Sequence, residues 1–176
     1  MRNIAAAAII GILCIGTAFA DTKEDAFIAA AGAGDIDKVN LALRELVNVN
    51  CHGQNDTTPL IEAAKNGRSD VVKLLLDRYA SPNLDDSEDI NPLMYAAQNG
   101  NADIVGMLLS KGANVNAQSV RSYSALMYAA ESDHKETVKL LLDKGADPNQ
   151  RCNTTDTALT MAIQTRDKDL VQMLLS

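Results

Sequence analysis

Two ten-residue stretches, TPLIEAAKNG (58–67) and NPLMYAAQNG (91–100), are nearly identical and lie 33 positions apart. A fixed period of about 20–50 residues is the sequence pattern of repeat architectures. The same interval leads forward to two further segments and back to a more divergent one. The five segments are AFIAAAGAG (from Ala26), PLIEAAKNG (from Pro59), PLMYAAQNG (from Pro92), ALMYAAESD (from Ala125) and ALTMAIQTR (from Ala158). One structural unit therefore recurs along most of the chain.

Each segment is predicted to begin a helix. The residue before it has a short side chain whose oxygen can accept from a free backbone N–H of a first helical turn. These residues are Asp25, Thr58, Asn91, Ser124 and Thr157. In two copies proline follows at the first helical position, which it favours. Ten to twelve residues later an acidic residue precedes an apolar run such as VVKLLL (71–76), which suits a second helix because a carboxylate favours the positive end of a helix dipole. These acidic residues are Asp37, Asp70, Asp103, Glu136 and Asp169.

The linkers repeat too, as VNVN (47–50), ASPN (80–83), ANVN (113–116) and ADPN (146–149). Together with the period, the TPLxxAAxxG opening and VVKLLL, they resemble the ankyrin repeat over residues 21–176. The resemblance implies an all-α-dominated solenoid of about five helix-turn-helix repeats, with short β-hairpin fingers formed by the linkers. The repeat bounds are approximately 22–54, 55–87, 88–120, 121–153 and 154–176.

Several positions depart from the family pattern. The histidine that usually follows TPL is replaced in every copy, so its hydrogen bonds between repeats are expected to be absent. The replacing residues are Ile28, Ile61, Met94, Met127 and Thr160. Tyr79 stands where later copies have Gly112 and Gly145, and Asp133 and Arg166 replace the glycine of the helix turn. We expect these corners to be strained or reshaped.

Residues 1–20, MRNIAAAAIIGILCIGTAFA, follow a different pattern. One positive charge precedes an apolar run, and Ala18 and Ala20 form the A-x-A pattern typical of a cleavable secretory signal. The run is too short to span a bilayer, and no second apolar segment of ~20 residues follows. We expect a mature N-terminus at Asp21, a periplasmic or secreted location, and no membrane attachment after cleavage. An uncleaved anchor is the alternative.

Charge and cysteine content restrict the partners. The chain has a net charge of −7, and loss of Arg2 with the signal makes it about −8, so we expect no binding of nucleic acid or anionic lipid. The mature chain keeps Cys51 and Cys152, about three repeats apart. Stacked helices at ~8–10 Å would separate the two by roughly 25–30 Å, whereas a disulfide needs less than ~7 Å between Cα atoms. We therefore expect two free or buried thiols in a chain that is monomeric alone, with a bridge to another chain as the alternative.

No catalytic arrangement is evident. His134 lies at a helix turn, where a structural role is expected, and His52 adjoins Cys51 on a loop, where neighbours rarely present nucleophile and base to one atom. No G-x-S-x-G elbow, Walker loop or H-E-x-x-H occurs. We predict no enzymatic activity, no metal and no cofactor. The acidic run DDSED (85–89) lacks the spacing of a calcium loop, and we interpret it as a solvated finger tip, with docking of a basic partner as the alternative.

Function is therefore expected to lie in binding. The resemblance implies a concave surface made of the fingers and the exposed side of each first helix, and the residues there vary between copies while the frame is kept. Tyr95 and Tyr128 are 33 apart and should lie side by side near Tyr123, as a binding surface or packed between helices. The candidate protein-binding residues are Gln54, Asn55, Lys65, Glu88, Ile90, Tyr95, Gln98, Arg121, Tyr123, Tyr128 and Glu131.

The sequence thus predicts a non-catalytic protein–protein interaction module in a bacterial periplasm. Resemblance to the family allows an accessory protein for a periplasmic enzyme, such as one coping with oxidants, or an immunity protein that blocks a toxin. Exported further, the protein would be an effector that meets host proteins. An enzyme with an unrecognised site is the alternative from a different class.

Overall fold

The computed structural model describes residues 22–175, in which ten α-helices form five consecutive pairs. The predicted signal segment and the cleavage point at Asp21 lie outside the described residues. The helices are α1 (Lys23–Ala33), α2 (Ile36–Arg44), α3 (Pro59–Lys65), α4 (Ser69–Asp77), α5 (Pro92–Gln98), α6 (Ala102–Ser110), α7 (Ala125–Glu131), α8 (Lys135–Asp143), α9 (Ala158–Thr165) and α10 (Lys168–Leu175).

Side-chain caps define where the first helix of each pair begins. Thr58, Asn91, Ser124 and Thr157 each accept from the backbone N–H three residues on, at 3.0–3.4 Å, which confirms the prediction at four starts. The prediction at Asp25 is wrong. There α1 begins at Lys23 because the preceding Thr22 caps it, accepting at 3.1 Å from the Asp25 N–H, while the Asp25 carboxylate accepts at 3.2 Å from the Thr22 N–H. This reciprocal capping box satisfies two backbone donors at once.

The helices stack in two layers along the solenoid. The first helices of the pairs, α1, α3, α5, α7 and α9, pack on one another in chain order, and α2, α4, α6 and α8 form the second layer. Each second helix also packs against the first helix of its own pair. Pairs of almost fully buried alanines, such as Ala63 with Ala64, lie in the first helices and let neighbouring repeats approach closely. The described residues therefore bury one continuous core with no single centre, as repeat proteins do.

The turn inside each helix pair keeps one conformation in all five copies. Its left-handed residue is Gly34, Gly67 or Gly100 in the first three pairs, with φ of 83°, 67° and 70°. Asp133 and Arg166 take the same conformation in the last two, with φ of 59° and 63°. The predicted strain is present there, since a side chain makes this region unfavourable, but the corners are not reshaped. His134 is structural as predicted: its Nε2 lies 3.0 Å from the Gln98 carbonyl oxygen of the preceding repeat.

A second left-handed position follows each of the first four second helices. Gly112 and Gly145 occupy it in two copies, with φ of 88° and 87°. Leu46 and Tyr79 occupy it in the others, with φ of 60° and 64°, and both side chains are about 90% exposed. Two large side chains therefore lie in an unfavourable backbone conformation without gaining burial.

We expect Tyr79→Gly to stabilise the fold by about 0.5–1 kcal/mol. It removes a left-handed penalty of roughly 1–2 kcal/mol, which exceeds the ~0.5–1 kcal/mol of extra backbone entropy that glycine loses. Arg78→Gly is the matched control, since Arg78 has φ of −100° and gains nothing from glycine. Urea unfolding of both variants measures the difference. A Tyr79→Gly midpoint lowered as much as that of Arg78→Gly would contradict the strain.

One buried hydroxyl in α8 has no hydrogen-bond partner. Thr137 is fully buried, and its Oγ1 is unsatisfied, at a position where the equivalent residues of other repeats are Val71, Ile104 and Leu170. We expect Thr137→Val to raise the free energy of unfolding by about 1 kcal/mol, because an unpaired buried polar group costs about 1–3 kcal/mol. Val71→Thr is the reverse change in the second repeat and should lower stability by a similar amount. Denaturant titration tests the pair, and a destabilised Thr137→Val variant would show that the hydroxyl is bonded.

The linkers between helix pairs form tight turns. The predicted β-hairpin fingers are not confirmed, because the described linkers hold no regular strand and only an isolated bridge between Gln118 and Ser124. One backbone N–H···O bond of 2.9–3.2 Å closes each finger across four residues, which leaves too short a segment for a strand ladder. The bonds are Gly53 to Thr57, Asp86 to Ile90, Ser119 to Tyr123 and Cys152 to Asp156.

Backbone and asparagine hydrogen bonds join one finger to the next. The Ser87 N–H donates to the Asn55 carbonyl at 3.0 Å, and the Val120 N–H donates to the Glu88 carbonyl at 3.0 Å. In the linkers before the first three fingers, an asparagine oxygen accepts at 2.8 Å from a backbone N–H of the following repeat. The three asparagines are Asn50, Asn83 and Asn116. The fingers are thus held in a fixed row along one side of the solenoid.

Both cysteines of the described residues are buried and free, as predicted. Burial, reinforced by the charge of Glu24, raises the pKa of the Cys51 thiol to about 11, so little of it is thiolate near neutral pH. Within residues 22–175 no helix is long and apolar enough to cross a membrane.

Candidate binding groove

A groove of about 340 Å³ lies between α3, α5 and the two fingers that precede them. Its residues come from two neighbouring repeats, held in place by the helix stack and by the bonds between fingers. Six of the candidate residues line it: Gln54, Asn55, Lys65, Glu88, Ile90 and Tyr95. The structure therefore brings together side chains that lie up to 41 positions apart in the sequence.

Asp86 anchors one wall of this groove. Its Oδ1 accepts from the backbone N–H groups of Glu88 and Ile90, at 2.9 and 3.1 Å, and so fixes the finger. Its Oδ2 accepts from the Tyr95 hydroxyl at 2.7 Å. Burial, this hydrogen bond and the negative charge of Asp86 raise the pKa of the Tyr95 hydroxyl, which stays protonated near neutral pH. One residue of the acidic run is therefore structural and holds Tyr95 in place.

The side chain of Lys65, from the neighbouring repeat, places its ammonium group over the Tyr95 ring. The Lys65 ammonium lies 5.1 Å from the ring centroid, within the range of a cation–π contact. It also lies 4.0 Å from a Glu62 oxygen, one turn earlier on α3. Half of the Lys65 side chain is exposed, so neither contact removes it from water.

The charged groups of the groove are mainly acidic. Glu62, Asp86 and Glu88 contribute three carboxylates against the single ammonium of Lys65. The Asp86 and Glu62 oxygens accept hydrogen bonds from neighbouring side chains or backbone. Within the described residues the exposed Glu88 carboxylate has neither a hydrogen-bond donor nor an ion-pair partner. A partner can therefore pair with the Glu88 carboxylate without breaking an existing hydrogen bond or ion pair.

Tyr123 and Tyr128 form a separate pair in the next repeat. Their ring centroids are 5.2 Å apart with an interplanar angle of 51°, and both rings pack against the core while staying partly exposed. Burial raises the pKa of the Tyr123 hydroxyl. The ring partner of Tyr128 is thus Tyr123, whereas Tyr95 contacts Asp86 and Lys65. The side-by-side arrangement predicted for Tyr95 and Tyr128 does not describe their main contacts.

The other candidates lie outside the groove. Gln98 and Glu131 are exposed at the positions equivalent to Lys65, on α5 and α7. Arg121 is exposed on the fourth-repeat finger, and its carbonyl accepts from the Asn153 N–H at 3.2 Å. The charge at the Lys65 position therefore changes from positive through neutral to negative along the solenoid.

Four groove residues were absent from the sequence-based set: Thr57, Glu62, Asp86 and Ser87. Glu62 lies 33 positions before Tyr95 and so occupies the equivalent position in the preceding repeat. The repeat period could therefore have identified Glu62 as a groove residue. A second groove of about 330 Å³ shares Gln54, Thr57 and Glu62 and extends toward α1. The two grooves therefore form one continuous depression along the first three repeats.

Each of the two histidines has a ring nitrogen within hydrogen-bond distance of a backbone carbonyl oxygen. The His52 Nδ1 lies 3.1 Å from the Asp56 carbonyl oxygen on its own loop, while His134 contacts a carbonyl oxygen at a helix turn. No group of three or more His, Cys, Asp or Glu side chains among residues 22–175 could hold a metal ion.

Stacked helix pairs with a groove along one side define an all-α repeat solenoid of the kind that serves binding. The family model described as ankyrin repeats (3 copies) matches residues 26–119 and 119–176, and the chain belongs to the ankyrin repeat family. Ankyrin repeats generally mediate protein–protein interaction. A comparison with curated proteins finds no matching sequence.

Proposed function

We propose that this protein is a non-catalytic module that binds another protein through the groove between α3 and α5 and the adjoining fingers. The observation that carries the proposal is the convergence of six side chains, which differ between repeats, on one groove. The surrounding frame of caps, left-handed turns and asparagine bonds is nearly the same in each repeat. Recognition and folding thus use separate sets of residues.

The site of action in this proposal is the periplasm. Two versions of the role agree with the sequence: an accessory protein for a periplasmic enzyme, for instance in oxidant defence, and an immunity protein that blocks a toxin. A neighbouring catalase or peroxidase gene would favour the first version, and a neighbouring toxin gene the second. Secretion to meet host proteins, and an enzyme with an unrecognised site, are the alternatives.

Export predicts a defined mature chain. Because Ala18 and Ala20 form a cleavage pattern, we expect the exported protein to begin at Asp21. Intact-mass spectrometry of protein recovered from the periplasm measures this directly. A mass that retains residues 1–20 would contradict cleavage and support a membrane anchor.

Affinity capture from periplasmic extract tests the binding proposal. Three baits are compared: the unmodified protein, Glu88→Lys in the groove, and Glu136→Lys, which reverses an exposed charge on α8. The proposal expects a protein that the unmodified and Glu136→Lys baits retain and the Glu88→Lys bait loses. Equal capture by all three baits would place the binding surface elsewhere.

A further inference from the structure

Resting on the proposed function, we infer that the groove between α3 and α5 recognises a basic segment of the partner. One arginine guanidinium stacks on the Tyr95 ring and pairs with the Glu88 carboxylate. The Glu62 carboxylate, which also lines the groove, adds to the negative field. The Ile90 side chain, which is partly buried and also lines the groove, offers apolar surface to the arginine methylenes.

The chain already places a cation where the arginine would bind. The Lys65 ammonium, 5.1 Å from the Tyr95 centroid, shows that this ring face is open to a positive group and that the surrounding carboxylates favour one. Its contacts are easily exchanged, because Lys65 is half exposed and its nearest carboxylate oxygen is 4.0 Å away. Lys65 therefore acts as an internal competitor that an incoming arginine displaces.

The ring is held ready for stacking. The Tyr95 hydroxyl is bonded to Asp86, and Asp86 is fixed by two backbone N–H groups of its finger. Fixing the ring before binding reduces the entropy lost on association. Because this network uses both Asp86 oxygens, Glu88 is the carboxylate left to pair with the guanidinium.

Arginine suits this site better than lysine. A guanidinium is planar, more weakly hydrated than an ammonium, and able to stack on an aromatic ring while its edge donates two hydrogen bonds to a carboxylate. An acidic partner is disfavoured, since three carboxylates face a single ammonium in the groove and the whole chain carries a net charge of −7. The recognised group is therefore an arginine side chain within a basic segment.

The experiment is an NMR titration of the ¹⁵N-labelled protein with N-acetyl-arginine amide, N-acetyl-lysine amide and N-acetyl-glutamate amide as separate probes. We expect saturable shifts in the 54–65 and 86–95 amides with the arginine probe, and binding of the lysine probe about three-fold or more weaker. Lys65→Gln removes the internal competitor and should tighten arginine binding about two- to five-fold. Glu88→Gln should weaken it by a similar factor, while Glu136→Gln, the matched control, leaves it unchanged.

Tyr95→Phe keeps the ring but loses its bond to Asp86, so it should weaken arginine binding less than Tyr95→Leu, which removes the ring and should abolish it, with circular dichroism checking the fold of each. Absence of groove shifts with the arginine probe, or tighter binding of the glutamate probe, would overturn the inference. So would weaker arginine binding by Lys65→Gln. If the captured partner still needs Glu88 while the arginine probe does not bind, the arginine assignment fails and the proposed function stands.

Discussion

Leu75→Ala and Leu108→Ala are each expected to lower the free energy of unfolding by about 2–5 kcal/mol. The two leucines occupy equivalent positions of α4 and α6, and neither side chain is exposed. Each side chain belongs to the continuous buried core. Truncation therefore leaves a cavity that the neighbouring repeats cannot fill without moving. A solenoid transmits this loss to the adjacent interfaces, because every repeat is stabilised by its neighbours.

Guanidinium or urea unfolding followed by circular dichroism measures the loss. Leu41→Ala in α2 is the matched control, since that leucine is 56% exposed and its truncation removes little buried surface. The Leu41→Ala substitution should change the free energy of unfolding by only about 0.5 kcal/mol, as is usual for exposed positions. A Leu75→Ala midpoint equal to that of Leu41→Ala would refute the assignment of Leu75 to the core.

The repeat period predicted most of the fold because every repeat adopts nearly the same backbone conformation. Residues 33 apart take the same conformation even where the side chain is unsuited to it, as Asp133, Arg166 and Tyr79 show with their positive φ. The stacked helices impose the turn, and the strain of one residue is too small to change it. The start of α1 was mispredicted because a capping box at Thr22 satisfies more backbone donors than a cap at Asp25 would.

The candidate site was predicted less completely, because side-chain contacts depend on the particular pair of residues. Tyr95 and Tyr128 are equivalent by period, yet the residue equivalent to Asp86 in the next repeat is Ser119. Without a carboxylate to receive its hydroxyl, Tyr128 packs instead on Tyr123, at the position where the third repeat has Ile90. The period identified both tyrosines, whereas their partners required the folded structure.

The paired substitution Tyr95→Ala and Tyr128→Ala is expected to weaken partner binding by about 2 kcal/mol for each tyrosine, roughly 30-fold each, as is typical of aromatic anchors. Tyr95 is a half-buried ring in the groove, and Tyr128 is a half-buried ring on the same helix face of the next repeat. Calorimetry with the captured partner measures the loss. Tyr79→Ala is the control, because Tyr79 is 90% exposed at the end of α4 and lies outside the groove.

The acidic finger should act on the rate of association more than on the strength of the complex. Neutralising Asp85 and Asp89, which are exposed and do not line the groove, removes charges that steer a basic partner, so stopped-flow mixing should show a lower association rate with a weaker dependence on salt. Glu88 is left unchanged because it is proposed to contact the partner directly. Asp86 is left unchanged because it holds the finger and Tyr95.

Full affinity in the variant that carries both Tyr95→Ala and Tyr128→Ala, with its helix content intact by circular dichroism, would show that the partner binds a different face of the solenoid.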